Sequence, residues 1–113
     1  NKNFVILDAA MNDLMRPALY GAKHQIIPSK KNKKITNKMF EFVGPICEST
    51  DKFLTTKKFQ NIREGELIII CDVGAYGMSL SSNYNARTLP AEILVKNSKI
   101  QVIKSRQKLS DII

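Results

Sequence analysis

Apolar residues come in short, often β-branched runs separated by polar stretches, a pattern that favours strands over long helices. Phe4-Val5-Ile6-Leu7 predicts a buried strand, with Asp8-Ala9-Ala10 leading out of it. Gly65 opens Glu66-Leu67-Ile68-Ile69-Ile70-Cys71, the strongest strand signal in the chain, which predicts a central strand. His24 to Ile27 and Met39 to Val43 predict two strands flanking a lysine-rich stretch. Ala91 to Lys96 and Lys99 to Lys104 alternate around Asn97-Ser98 and predict a hairpin, because asparagine accepts the left-handed conformation of a two-residue turn.

One helix is predicted after the first strand. Leu14, Ala18 and Ala22 recur at i, i+4 and i+8; Asn12 is placed to cap the helix, and Asp13 favours its positive end. Pro17 is tolerated in a first turn but disfavours helical geometry at Arg16, so the regular helix is expected to begin there. With strands in excess, no βαβ alternation and no internal repeat, the expected class is mainly β: a Greek-key β-barrel or sandwich with one or two short helices.

A chain of 113 residues supplies one domain with one core. At 43% hydrophobic and 25% charged residues it has the composition of a folded domain and not of a disordered segment. No apolar run approaches the ~20 residues of a bilayer span, and no leader resembles a signal peptide, so the expectation is a soluble, cytoplasmic chain without membrane partners. Its start at Asn1 points to a processed chain or a piece of a longer one. Cys47 and Cys71 have no CxxC spacing and only His24 as an imidazole neighbour; no metal site is expected, and reduced thiols fit better than a disulfide.

The net charge of +8 raises nucleic acid as a partner. Lys30, Lys31, Lys33 and Lys34 cluster with Asn32, Thr36 and Asn37, but no aromatic residue is interleaved before Phe40. That composition reads as a solvated loop. The rival reading is a small basic β-barrel that binds RNA or an acidic partner through residues 30–38, although aromatic strands of the RNA-stacking kind are missing.

Three polar clusters follow the apolar runs, where loops display functional groups on a rigid scaffold. Arg16 and Tyr20, four apart, would project a cation and a phenol from one helical face toward a carboxylate; a surface arginine over a tyrosine ring gives the same spacing. Gly44-Pro45 makes a turn that would aim Cys47 and Glu48 into a cleft, a thiol to pass protons and a carboxylate to bind an ammonium; a buried cysteine beside a solvated glutamate is the plain alternative. Gly74 and Gly77 bracket Tyr76, leaving backbone open to an anion and a phenol to donate to a phosphate, or forming an ordinary turn.

Together these clusters resemble a family. Met11-Asn12-Asp13-Leu14-Met15-Arg16-Pro17-Ala18-Leu19-Tyr20, Gly44-Pro45-Ile46-Cys47-Glu48-Ser49 and the run from Asp72 through Tyr76 to Asn85 are similar, in order and spacing, to the C-terminal signature blocks of diaminopimelate decarboxylases, which are fold-type III pyridoxal-phosphate enzymes. Pro90-Ala91-Glu92-Ile93-Leu94-Val95 and the ending Ser105-Arg106-Gln107-Lys108-Leu109 continue the match over essentially the whole chain. Lys23 departs from the pattern, standing where an aromatic residue is expected, on a flank that should not touch the chemistry.

The resemblance implies a domain like the C-terminal domain of alanine racemase over residues 1–113, a barrel left incomplete without its upstream strands. It implies that the upstream (β/α)₈ barrel, with the Schiff-base lysine and most groups that bind pyridoxal 5'-phosphate, lies outside this sequence. The implied reaction converts meso-diaminopimelate to L-lysine and carbon dioxide. By resemblance, Arg16 and Tyr20 hold the distal carboxylate, Glu48 receives the distal ammonium with Ser49 in the same loop, Cys47 donates the proton, and Tyr76 contacts the cofactor phosphate and borders the substrate. The Cys47 loop would cross a two-fold interface, so a homodimer is implied and the isolated chain is expected to be inactive.

Overall fold

The computed structural model describes residues 1–31 and 34–113. Strand β1 (Lys2–Ile6) is followed by the short helix α1 (Arg16–Tyr20), then β2 (Ile26–Pro28), β3 (Ile35–Thr36), β4 (Met39–Val43), β5 (Lys52–Thr56), β6 (Phe59–Gln60) and β7 (Ile68–Ile70). Two 3₁₀ turns, Met78–Leu80 and Tyr84–Ala86, lead to the hairpin β8 (Glu92–Lys96) and β9 (Lys99–Lys104), and a third closes the chain at Leu109–Asp111. The mainly β expectation holds. Among the described residues the strands pair as β1-β4-β5, β2-β7, β3-β6 and β8-β9, four open sheets, and the Greek-key connection is not among these pairings.

The core follows from alternation along β4. Phe40 and Phe42 face inward and pack edge-to-face on Phe59, with ring centroids 6.0 Å and 4.9 Å away. Leu14, Ile26 and Phe53 complete the cluster. Glu41, between the two phenylalanines, points to the other side of the sheet, where Lys52 Nζ lies 2.5 Å from Oε1 and Lys2 Nζ 3.1 Å from Oε2. Its carboxyl is held below the ordinary glutamate range, first by the Lys52 hydrogen bond and then by Lys2, against the opposing effect of desolvation.

Several expectations need correction. β1 pairs with β4 in parallel and lies at the sheet edge, with Phe4 62% and Ile6 71% exposed; only Val5 and Leu7 turn toward the core, so the strand is not buried. β7 is shorter than the apolar run that announces it and pairs with β2 alone, so it is not a central strand. Asn12 and Asp13 do not cap α1: the helix begins at Arg16, its N-cap is Met15 without a side-chain bond, and Ala22 lies beyond the left-handed Gly21 that ends it. Strands β3, β5 and β6 were not expected: Lys52-Phe53-Leu54-Thr55-Thr56 alternates, and Ile35-Thr36, inside the stretch read as a loop, pairs with Phe59-Gln60.

The β8–β9 hairpin is as predicted, with Asn97 at φ 49° and Ser98 at φ 60°, both left-handed as a two-residue turn of this hand requires. Lys30, Lys31 and Lys34 are exposed, in keeping with a solvated loop, while Asn32 and Lys33 fall outside the described residues. No helix among the described residues is long and apolar enough to cross a membrane.

Candidate functional site

The turn at Ala10–Leu14 joins the three polar clusters. It closes on itself through Asp13 N–H and Leu14 N–H donating to the Ala10 carbonyl at 2.9 Å and 3.2 Å, and through Ala10 N–H donating to Asp13 Oδ2 at 2.8 Å. α1 leaves this turn with Pro17 in its first turn, and Gly21 closes it at φ 65°, donating to Pro17 O at 3.0 Å. Arg16 is half-buried and Tyr20 exposed, one helical turn apart.

Cys47, Glu48 and Ser49 sit on the loop between β4 and β5, and all three are exposed. Thr50 Oγ1 donates to Glu48 Oε2 at 3.3 Å. Beneath the loop, Ile46 packs with Ala10 and Met11 in a second apolar cluster, joined by Met15 and Ala18. The helix bearing Arg16 and Tyr20 and the loop bearing Cys47, Glu48 and Ser49 therefore share one footing.

Asp51 ties them together, and nothing in the sequence reading singled it out. Its carboxylate is buried, accepting Met11 N–H at 2.7 Å on Oδ1 and Ile46 N–H at 2.8 Å on Oδ2. Its main chain closes the loop as well: Gly44 N–H donates to Asp51 O at 2.9 Å, and Asp51 N–H to Glu48 O at 3.1 Å. Gly44 is glycine for lack of room, since a Cβ there would stand 2.2 Å from Asp51 Oδ2. The available signal was an acid at the end of a Gly-Pro turn, directly before an alternating strand.

On its other side the turn holds the Tyr76 segment. Asn12, fully buried, donates from Nδ2 to Ser82 O at 3.0 Å, and Ser82 N–H returns a bond to Asn12 O at 3.0 Å. Arg87 Nε donates to Asn12 Oδ1 at 2.9 Å, and the same guanidinium reaches the Asp8 carbonyl and lies 3.7 Å from Asp13 Oδ2. Tyr76 is 65% exposed, its hydroxyl has no partner among the described residues, and its backbone is left-handed at φ 65°. A tyrosine there is strained, a feature that clusters at functional sites. Gly77 does not offer open backbone to an anion: it is buried, and a Cβ on it would meet Val73 O at 2.2 Å.

An open cleft of ≈ 890 Å³ beside this turn is lined by Asp8, Asp13, Gly74, Gly77, Arg87 and Arg106 among others, but by none of Arg16, Tyr20, Cys47, Glu48, Ser49 or Tyr76. The site is defined by the hydrogen-bonded turn and not by that concavity, which is open on one side. Cys47 and Cys71 are free thiols. His24 is buried with Nδ1 3.0 Å from the Cys71 carbonyl; because a carbonyl only accepts, Nδ1 carries the hydrogen, while Nε2 is buried without a partner among the described residues.

Residues 1–74 match the family model of the pyridoxal-dependent decarboxylase C-terminal sheet domain. The diaminopimelate decarboxylase of Neisseria meningitidis serogroup B is 49% identical over 108 residues, which cover 96% of this chain and 26% of the relative. That of Aquifex aeolicus is 40% identical over 115 residues, 100% of this chain and 27% of the relative. Among solved structures, diaminopimelate decarboxylase from Helicobacter pylori complexed with L-lysine superposes with a TM-score of 0.88 at 43% identity, covering 99% of this chain and 27% of that one. The chain thus spans about a quarter of the length of the relatives it matches.

Proposed function

The chain belongs to the pyridoxal-dependent decarboxylases, whose C-terminal sheet domain it carries, and from that premise we propose that it is the substrate-recognising part of a diaminopimelate decarboxylase. The observation that carries the reading is the shared footing of α1 and the Cys47 loop on Ala10, Met11 and Ile46, locked by Asp51, because it fixes the helix that bears Arg16 and Tyr20 against the loop that bears Cys47 and Glu48, so that one rigid chain can serve its own site with the first and the partner's with the second.

In this reading the Arg16 guanidinium grips the distal carboxylate of meso-diaminopimelate in a fork, and the Tyr20 hydroxyl adds a third bond. Glu48 accepts the distal ammonium, with Ser49 beside it. Pyridoxal phosphate, held mainly by upstream sequence, supplies a ring that accepts the electrons left as carbon dioxide departs. The unpartnered Tyr76 hydroxyl fits a phosphate oxygen as acceptor. Cys47 Sγ delivers the proton to the carbon that lost its carboxylate, giving L-lysine. The exposed Cys47 loop enters the partner subunit's site in a homodimer, so each chain completes the other.

Full-length enzyme tests these roles. Cys47→Ala should chiefly lower kcat for diaminopimelate, because proton return loses its donor; unchanged kcat would remove Cys47 from the role. Arg16→Ala should chiefly raise KM, since it acts far from the breaking bond. A fall in kcat alone would reassign the carboxylate clamp.

A further inference from the structure

A buried carboxylate is costly unless its oxygens are satisfied, and Asp51 satisfies both with main-chain N–H groups from two separate segments. Among the described residues it has no ion-pair partner, so its position is fixed by direction and not by a counter-charge. Met11 leads through one turn into Arg16, and Ile46 immediately precedes Cys47. We propose that Asp51 is a positioning residue that sets the proton-donating loop against the carboxylate-binding helix, an inference that rests on the function proposed above.

Three features support this. The two N–H groups come from 40 residues upstream and 5 residues upstream, so the carboxylate bridges elements that the chain itself leaves far apart. The loop is closed on the same residue through its N–H and carbonyl, which leaves little slack between Asp51 and Cys47. Gly44 leaves room for the carboxylate where a methyl group would stand 2.2 Å from it, so the seat is shaped around that side chain. A small displacement of the loop relative to the helix would misplace the thiol that the loop carries into the partner subunit's site, and a misplacement of about 1 Å can cost on the order of a hundredfold in rate.

The test uses full-length enzyme with pyridoxal phosphate bound. Asp51→Asn keeps the shape but turns an NH₂ toward one of the two N–H donors. Its kcat/KM for meso-diaminopimelate should fall about tenfold to a hundredfold, at temperatures where the protein is fully folded. Gly44→Ala, which displaces the carboxylate without removing it, should reproduce the defect, and combining it with Asp51→Ala should add little because the clash is gone. Alkylation of Cys47 by iodoacetamide, read by peptide mass, should change in rate in both single variants. This arm needs no substrate: if the unsubstituted enzyme proves inactive on diaminopimelate the functional reading fails, and the alkylation rates still decide the coupling. Should Asp51→Asn not fold, Gly44→Ala carries the same comparison. A lowered melting temperature with kcat/KM and alkylation both at wild-type values would make Asp51 merely structural and overturn the proposal.

Discussion

Arg87 Nε donates to the side-chain oxygen of Asn12 at 2.9 Å, joining two positions 75 residues apart. Asn12 spends both ends of its amide, since Nδ2 is held by Ser82 O. Replacing it by alanine strands a guanidinium N–H and a main-chain carbonyl, at about 1–3 kcal/mol each when buried. Asn12→Ala should therefore cost roughly 2–6 kcal/mol in urea unfolding. Arg87→Ala should cost less, because its guanidinium is partly solvated; the reverse ranking would put the weight of the network on Arg87.

Glu41 predicts a pH dependence with a definite sign. Its folded pKa is lowered by Lys52 and then Lys2, so its contribution is fully present above the ordinary glutamate value of about 4.3 and is lost as the pH falls through the lowered folded value. Glu41→Gln should be less stable than wild type at neutral pH, and the two unfolding midpoints should converge on acidification. Parallel curves would mean that the lysines do not act through this carboxylate.

Tyr76 combines a left-handed backbone with the phosphate-contacting role proposed for it. Its left-handed backbone costs about 1–2 kcal/mol for a residue with a Cβ, whereas glycine gives back about 0.5–1 kcal/mol through its freer unfolded chain. Tyr76→Gly should thus gain about 1 kcal/mol of stability while losing kcat/KM in the full-length enzyme. Tyr76→Phe should lose activity with stability unchanged. A Tyr76→Gly variant less stable than wild type would show that the ring contributes packing that outweighs its backbone.

The free edge of β1 makes a prediction for the chain without its upstream sequence. Leu7 N–H bonds Val43 O, so by alternation Val5 N–H faces β4 while Ile6 N–H faces outward. In dilute monomer the Ile6 amide should exchange faster than that of Val5, and concentration or restored upstream sequence should slow it. Strong, concentration-independent protection of Ile6 would mean the edge is already covered and the barrel is not incomplete.

Legibility from sequence varied with how local the cause was. Met39 to Val43 and the Asn97-Ser98 hairpin follow from alternation and turn chemistry, and both stand where expected. The start of α1 follows from Pro17. Glu66 to Cys71 was overestimated because an apolar run does not reveal how many neighbours its strand has; β7 has β2 alone. The clusters around Arg16, Cys47 and Tyr76 were visible as patterns, but Asp51, Asn12 and Arg87, which bring them together, were not. Their long-range partners lie 40 to 75 residues away, and an aspartate after Ser49-Thr50 reads as an ordinary solvated turn until its donors are known.

The parallel pairing of β1 with β4 also sets an order of assembly. β4 and β5 are joined by the short loop that Asp51 closes, whereas β1 reaches β4 across a connection roughly four times as long, which adds about 1.2 kcal/mol of closure entropy. The β4–β5 ribbon should nucleate the sheet and β1 should dock last. Translation runs the other way: Lys2 is made well before its partner Met39, and at about 5–20 residues per second the strand waits roughly two to seven seconds. During that interval Phe4, Val5 and Ile6 have no β4 partner on the nascent chain, so this edge of the sheet closes only after β4 has been made.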